Sequence, residues 1–440
     1  MSILAEVRLW GSTIGAIALA DNEAVASFEY NPDFVTSGIE LSPLVMPLSR
    51  TVYRFPSLAR ESFHGLPGLL ADSLPDRFGN ALIDTWLAWQ GRSPASFNAV
   101  ERLCYTGKRG MGALEFLPVT GPESSPSDHL EMDQLVDLAN AVLSQRTALQ
   151  GELAPDTASQ TLSQILQIGT SAGGARAKAV IAWNPQNNEL RSGQLKAPLG
   201  FEYWLLKFDG VGANRDKELL DSQGYGLIEY AYYGMARAAG IQMSECRVLQ
   251  EHDRNHFMTR RFDRAADGQK LHMQSLGALA HYDFNAAGAH SYEQAFGVIR
   301  SLGLAADSLE EQFRRMVFNV MARNQDDHVK NIAFLMDKRG IWSLAPAFDM
   351  TYSYQKGGLW TGQHQMSLNG RRDGFSFLDL QTVAQSAGLK RGRAASIVEE
   401  VHAAVARWRE FAAAVGVSAE RLEQIQAELR LDLLPIPRTA

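Results

Sequence analysis

The chain changes character once along its length, and that change constrains its fold more than any single motif. Across residues 4–60, short apolar or alternating runs (Glu6–Trp10, Ile14–Leu19, Ala24–Tyr30) are separated by Gly, Asn and Asp turns, the pattern of β-strands. Past Ser376 the sequence becomes Ala-rich and amphipathic over Leu378–Ala387, Ala394–Ala414 and Ala419–Leu429, the pattern of packed helices. Strands and helices do not alternate regularly in between, so the layout reads as α+β and not as a βαβ fold.

Composition narrows the class. The chain has 440 residues, 45% hydrophobic and 21% charged, which supports sizeable cores and excludes disordered or collagen-like chains. A chain of this length divides into roughly two to three domains. The net charge of −7 makes it a poor non-specific DNA binder by itself. Cys104 and Cys246 give neither a disulfide framework nor a zinc ligand set. The N-terminus has no signal-peptide pattern, and no apolar run reaches the roughly 18 residues of a membrane span. The expectation is a soluble protein of a reducing compartment, with no membrane partner.

Between the two ends, Pro75-Asp76 predicts the start of a helix over Phe78–Gln90, with a second helix over Ala95–Leu103 and a strand over Ala113–Leu117. The Pro/Ser-rich stretch Gly121–Asp128 predicts a module boundary. Helices are expected over Met132–Leu149, Ser159–Ile168, Gly226–Ala239 and Gln312–Arg323. Strands are expected over Lys178–Trp183, Leu190–Leu195 and Tyr203–Phe208. No internal repeat is visible.

The densest chemistry lies in Arg323-Asn-Gln-Asp-Asp-His-Val-Lys-Asn331, with two carboxylates, an imidazole, a lysine and three amides in nine residues. Asp326 and Asn331 have the D-x-x-x-x-N spacing of phosphoryl-transfer enzymes, where the Asp serves the attacking hydroxyl and the Asn holds magnesium. Asp349, in Ala347-Phe-Asp-Met350, is placed like a second magnesium carboxylate. A solvated loop with a helix-capping Asp is the plain alternative. Upstream, Ile168–Lys178 is glycine-rich and could cradle phosphates through backbone N–H groups, or be an ordinary turn; it is not a Walker loop, since Ala175 stands where Lys is required. Lys207, within Tyr203-Trp-Leu-Leu-Lys-Phe208, either snorkels outward or points in to a phosphate. Glu229, on an otherwise apolar helix, is its candidate partner. The order of loop, lysine, glutamate, D-x-x-x-x-N and Asp is that of protein kinases, although G-x-G-x-x-G, H-R-D and D-F-G are all missing.

Ser171-Ala-Gly-Gly-Ala-Arg-Ala-Lys178, Leu205-Leu-Lys207, Ile228-Glu229-Tyr230, Arg261-Phe-Asp-Arg264, Asp326–Asn331 and Phe348-Asp349 together resemble the HipA family. These are serine/threonine-kinase toxins of bacterial HipA–HipB toxin–antitoxin modules. Gly68–Asp76 and Gly107–Leu117 are similar to that family's N-terminal subdomain. The resemblance implies a bilobal kinase-like fold with an extra β-rich N-terminal subdomain (1–120), the rest of the N-lobe (121–255) and a helical C-terminal lobe (256–440). It implies ATP and Mg²⁺ as cofactors, Asp326 as catalytic base, and Asn331 and Asp349 as metal ligands. Nucleotide contacts would come from Ala172, Gly173, Gly174, Ala175, Arg176, Lys178, Lys207, Glu229, His328 and Lys330. The stretch His256–Phe262, with Arg260 and Phe262, would supply the adenine hinge, and Ser171 would be the autophosphorylated serine. Implied partners are a HipB-like helix-turn-helix antitoxin, operator DNA through that complex, and a protein substrate such as an aminoacyl-tRNA synthetase. The implied location is the cytoplasm, with the nucleoid when in the DNA complex.

Two departures stand out. Asp327 occupies a position where the family often has Gly, and the Gly-Gly-Ala-Arg-Ala-Lys loop differs from the Gly-Ala-Gln-Glu-Lys-Thr form. A small-molecule phosphotransferase resembling the aminoglycoside kinases, and a non-catalytic antitoxin-binding co-repressor, are the competing readings. The Lys390-Arg391-Gly-Arg393 cluster is either a solvated helix start or a DNA phosphate contact.

Overall fold

A computed structural model describes residues 3–121, 132, 135–137, 139–140, 176–194, 196–211, 215–216, 219–220, 224–265 and 268–434. Strand β1 (Ile3–Leu9) buries Ala5, Val7 and Leu9 on one face, the period-two pattern its sequence carries. Trp10 (φ 50°) and Gly11 (φ 86°) then make a two-residue turn into β2 (Ser12–Leu19), pairing Leu9 with Ser12. The expected strand thus ends one residue early. With β3 (Ser27–Tyr30) and β4 (Leu114–Leu117) these strands form an antiparallel sheet in the order β3-β2-β1-β4.

The helix Arg77–Trp89 starts where Pro75-Asp76 predicts, because the Asp76 carboxylate accepts a hydrogen bond from the Gly79 N–H at 2.7 Å. The helix expected over Ala95–Leu103 is displaced to Ala99–Thr106. There Asn98 and Glu101 form a reciprocal capping box, and Pro94–Ser96 is only a 3-10 turn.

The second sheet contains β5 (Lys178–Asn184), β6 (Glu189–Ser192) and β7 (Glu202–Lys207). An antiparallel pair of two-residue strands, β8 (Arg215–Asp216) and β9 (Leu219–Leu220), stands apart from it. Strands β10 (Cys246–Glu251) and β11 (Arg254–Arg260) complete the antiparallel order β10-β11-β7-β5-β6. Helix Tyr225–Ala238 crosses this sheet so closely that a Cβ on Gly226 would sit 2.2 Å from the Asn255 carbonyl. Phe78, Leu82, Ile83 and Leu87 of the Arg77–Trp89 helix share one core with Ile181, Trp204 and Leu206 of the sheet.

The rest is mainly helical, around a small sheet of β12 (His272–Ser275), β13 (Ala333–Met336) and β14 (Trp342–Leu344). Helix Ala306–Met321 begins six residues before the expected Gln312. The spacing misses helix Tyr292–Ser301 altogether, although Ser291 and Gln294 form a capping box there. The predicted Ala394–Ala414 helix is two, Arg393–Val405 and Trp408–Val415, broken at Arg407. These helices bury Tyr232, Phe296, Phe313, Phe318 and Trp408 in the largest core, each such side chain contributing about 1.5–3 kcal/mol. Arg393 of the basic cluster pairs with Glu310 at 2.8 Å and with Glu400 at 3.1 Å.

The two-lobed α+β layout is therefore present, with the N-terminal part clamped to the helical lobe. Asp72 accepts from the Ser275 N–H at 2.6 Å and from its hydroxyl at 2.9 Å. The Gly68 N–H donates to His281 Nε2 at 3.0 Å, and a Cβ on Gly68 would lie 2.4 Å from the Ala278 carbonyl. The Ser62 hydroxyl bonds the Asp283 carboxylate. Asp263, wholly buried, accepts from Arg261, Arg264 and the Gly112 N–H. The linker Gly121–Asp128 and the Ser159–Ile168 helix lie outside the described residues, apart from Gly121. Of Met132–Leu149 only positions 132, 135–137, 139 and 140 are described. Among the described residues no helix is long and apolar enough to cross a membrane.

Candidate active site

Lys207 ends β7, where alternation sends Trp204 and Leu206 into the core of the sheet. Its ammonium points to the interior and does not snorkel outward. Nζ donates to Glu229 Oε1 at 2.5 Å and also to Asp349 Oδ1. Glu229 comes from helix Tyr225–Ala238 and is 2% exposed. An unpaired charge there would be costly, so lysine and glutamate each require the other. Burial pushes the Lys207 ammonium toward neutrality, but Asp349 and Glu229 outweigh it and keep the group charged, above its usual range. Burial likewise pushes the Asp349 carboxyl up, and Lys207 and then Lys178 hold it well below the ordinary carboxylate range. Arg176 extends the cluster: its guanidinium lies 3.6 Å from the Tyr225 ring centre, and Nη1 is 3.9 Å from Glu229 Oε2.

The Asp326–Asn331 loop is fastened from three sides. Asn331 Nδ2 donates to the Asp326 carbonyl at 2.9 Å, and the Asn331 and His328 N–H groups close the turn at 2.9 Å each. With the amide nitrogen occupied by the loop, the Asn331 side-chain oxygen is the atom suited to a cation. The Gln325 N–H bonds the Ser353 carbonyl at 3.2 Å, which sets the loop beside the chain that follows Asp349. Asp349 itself has φ 51°, a left-handed conformation that a non-glycine residue rarely adopts. His328 Nε2 lies 3.9 Å from Asp326 Oδ2, and Lys330 Nζ sits 4.6 Å from the Phe284 ring centre.

Asp327, the departure in this loop, is a structural anchor. It is buried and accepts from Tyr292 Oη at 2.6 Å, His364 Nδ1 at 2.8 Å and the Gln365 N–H at 2.7 Å. Arg430 can only donate, so its 3.1 Å contact with His364 Nε2 puts the imidazole proton on Nδ1, facing Asp327. Burial pushes the Asp327 carboxyl up, and His364, Tyr292 and Gln365 hold it below its ordinary value.

These groups line one cavity of about 460 Å³. Arg176, Lys178, Lys207, Asp326, His328, Lys330, Asn331 and Asp349 all reach it. Glu229 stands behind Lys207. Arg260 and Phe262 do not reach the cavity. Arg260 pairs with Glu202 at 3.5 Å and Glu245 at 3.4 Å, and Phe262 packs on Phe348 with ring centres 5.6 Å apart. The backbone of Phe257–Arg260 is spent on the ladders to β10 and β7. Ser171, Ala172, Gly173, Gly174 and Ala175 lie outside the described residues.

Sequence spacing did not point to the opposite wall, formed by Ser62, His64, Asp72, Asp76, Arg77 and Asn80 of the N-terminal part. Burial raises the Asp76 carboxyl, and Lys178 is the strongest influence against that shift. Pro75-Asp76 signalled a helix start, and nothing local could say that this helix end lines the same cavity as Asp326. Trp360 was missed too: its indole Nε1 donates to Asp326 Oδ1 at 2.6 Å.

A sheet-bearing lobe whose buried lysine pairs with a glutamate, and a helical lobe that brings Asp349 to the same lysine, define the class: a bilobal, kinase-like α+β protein. Family models agree and go further. The HipA N-terminal domain matches residues 5–117 and the HipA-like C-terminal domain matches residues 170–408, more than half of the chain. The chain belongs to the HipA family. Among solved structures it is similar to HipA of the Shewanella oneidensis MR-1 toxin–antitoxin system, seen with HipB and its operator DNA. That match has 16% identity and a TM-score of 0.67, covering 96% of this chain and 94% of that one. The Helicobacter pylori proinflammatory kinase CtkA overlaps at 12% identity and a TM-score of 0.32, over 58% of this chain and 93% of that one, too loosely to bear on the fold. No curated protein sequence matches significantly.

Proposed function

We propose that this protein is an ATP- and Mg²⁺-dependent serine/threonine-protein kinase, the toxin of a bacterial toxin–antitoxin module. The observation that carries this reading is Lys207 bonded to both Glu229 and Asp349 on the cavity that holds Asp326 and Asn331. The donor set suits the cofactors. Asp349 and Asn331 offer two hard oxygen ligands, and magnesium usually takes one or two from protein and the rest from phosphates and water. Lys207, Lys178, Arg176 and Lys330 bring cations to the same cavity for the phosphates.

In this reading Asp326 accepts the proton of the acceptor hydroxyl. Lys207 holds the nucleotide phosphates while Glu229 keeps its ammonium in place. Arg176, Lys178, His328 and Lys330 line the phosphate path, with Ala172, Gly173, Gly174 and Ala175 contributing backbone N–H groups. Magnesium, when bound, neutralises charge developing on the transferred phosphoryl group. Ser171 is the autophosphorylation site. A phosphoserine there adds roughly −1.5 to −2 charge beside the nucleotide phosphates and so disfavours ATP. Arg260 and Phe262 do not line the cavity, and this reading assigns neither to the nucleotide.

Family membership and the assembly of the Shewanella relative support a HipB-like antitoxin and operator DNA as partners; in this reading the complex co-represses its operon, and the kinase acts on a protein substrate such as an aminoacyl-tRNA synthetase. In this reading the protein acts in the cytoplasm and, in the DNA complex, at the nucleoid. Purified protein incubated with γ-labelled ATP and Mg²⁺ should become labelled on Ser171, and Asp326→Ala should not. An unlabelled wild-type protein that also leaves ATP unhydrolysed would contradict the reading.

A further inference from the structure

We infer that Trp360 is a positioning residue for Asp326, holding its carboxylate in the orientation that meets the acceptor hydroxyl. The inference rests on the reading of Asp326 as the base. An aspartate's terminal torsion is broad, so a carboxylate in an open cavity samples many orientations. The Trp360 indole has a single N–H, and it is donated to Asp326 Oδ1 at 2.6 Å, the short length of a charge-assisted bond. That bond fixes the plane of the carboxylate, with Oδ2 3.9 Å from His328 Nε2.

Trp360 is itself held firmly. Gln365 ties its backbone to the catalytic loop: the side-chain amide bonds the Trp360 carbonyl at 2.5 Å and the Gln325 carbonyl at 3.4 Å. The Gln365 N–H and the His364 ring both bond Asp327, the neighbour of Asp326. The turn that delivers the indole is tight, since a Cβ on Gly362 would lie 2.2 Å from the Gly358 carbonyl. The segment after Asp349 therefore returns to the loop at Gln325, Asp326 and Asp327, and the Trp360 bond is made to the carboxylate of Asp326 itself.

Three variants test this, with transfer of γ-phosphate from labelled ATP·Mg²⁺ to protein or water as the probe. Trp360→Phe keeps an aromatic ring and removes the N–H. It should lower the rate constant at saturating ATP by roughly tenfold to a hundredfold, as expected for a misplaced catalytic group. The half-saturating ATP concentration and the thermal midpoint should stay near wild type. Trp360→His can place Nε2 at the ring position of the indole nitrogen after a ring flip, and should recover part of the lost rate. A Trp360→Phe rate equal to or above wild type would overturn the inference; a higher rate would mark the contact as a brake. A loss confined to ATP affinity or to the thermal midpoint, or a Trp360→His variant no better than Phe, would overturn it too. Asp326→Ala separates the two readings: if that variant still transfers phosphate, the base assignment has failed; if it is inactive while Trp360→Phe is unaffected, only the positioning role has.

Discussion

Asp327 Oδ2 lies 2.8 Å from His364 Nδ1, joining the Asp326–Asn331 loop to the segment beyond Asp349 through a wholly buried contact. The bond explains how an acidic residue is tolerated beside Asp326. Asp327→Ala should leave the Tyr292 hydroxyl, the His364 N–H and the Gln365 N–H without their acceptor. Each such group costs about 1–3 kcal/mol when left unsatisfied. Chemical denaturation should show a loss in that range or above, and phosphate transfer should fall with it because Asp326, the proposed base, loses its neighbour's anchor. Wild-type stability in this variant would mean that the loop is held by other contacts.

Asp263 should matter as much for stability and far less for chemistry. Burial pushes its carboxyl up, but Arg261 and Arg264 hold it well below its ordinary value. Asp263→Ala strands two buried guanidiniums and the Gly112 N–H, and breaking a buried pair in this way costs roughly 3–5 kcal/mol. The denaturation midpoint should drop sharply. ATP affinity, measured on the fraction still folded, should change little.

The pH dependence of stability is set first by histidines. Burial lowers His281 from 6.5 to about 4 and His272 from 6.5 to about 3. In the unfolded chain each takes up a proton near 6.5, whereas in the folded chain each stays neutral until its lower value. The stability they contribute is present above pH 6.5 and is lost as the pH falls through that window toward 4 and 3. His281 has a structural reason to resist protonation, because its Nε2 accepts the Gly68 N–H at 3.0 Å. Denaturation curves between pH 7 and 5 should show stability declining on acidification, and His281→Gln should flatten the decline. A curve level down to pH 5 would contradict these assignments.

Much of the site was legible because its chemistry is local. Asp326 and Asn331 lie within one loop, and Lys207 and Glu229 are charges inside apolar stretches, which burial forces into partnership. The fold class was legible from period-two strands at one end and helical periodicity at the other. What escaped depends on distance along the chain. The Asp327–His364 contact spans 37 residues and the Trp360–Asp326 contact 34, separations over which hydrophobic periodicity says nothing. Asp72 and Asp76 are brought to the cavity of Asp326 by the Ser62–Asp283, Gly68–His281 and Asp72–Ser275 contacts, each formed only on folding. Helix Tyr292–Ser301 escaped although its capping box was there to read, because the preceding segment looked strand-like.

The most direct test of the kinase reading is a comparison of Asp326→Ala with Asp349→Ala, by calorimetry with ATP and Mg²⁺ and by transfer of labelled phosphate. Asp349→Ala removes a carboxylate proposed to bridge metal and phosphates, and should lose Mg²⁺-dependent ATP binding. Asp326→Ala removes a group that acts on the acceptor, and should bind ATP close to wild type while transferring no phosphate. Equal loss of ATP binding in both variants, or phosphate transfer surviving in Asp326→Ala, would contradict the roles assigned to this pair of carboxylates.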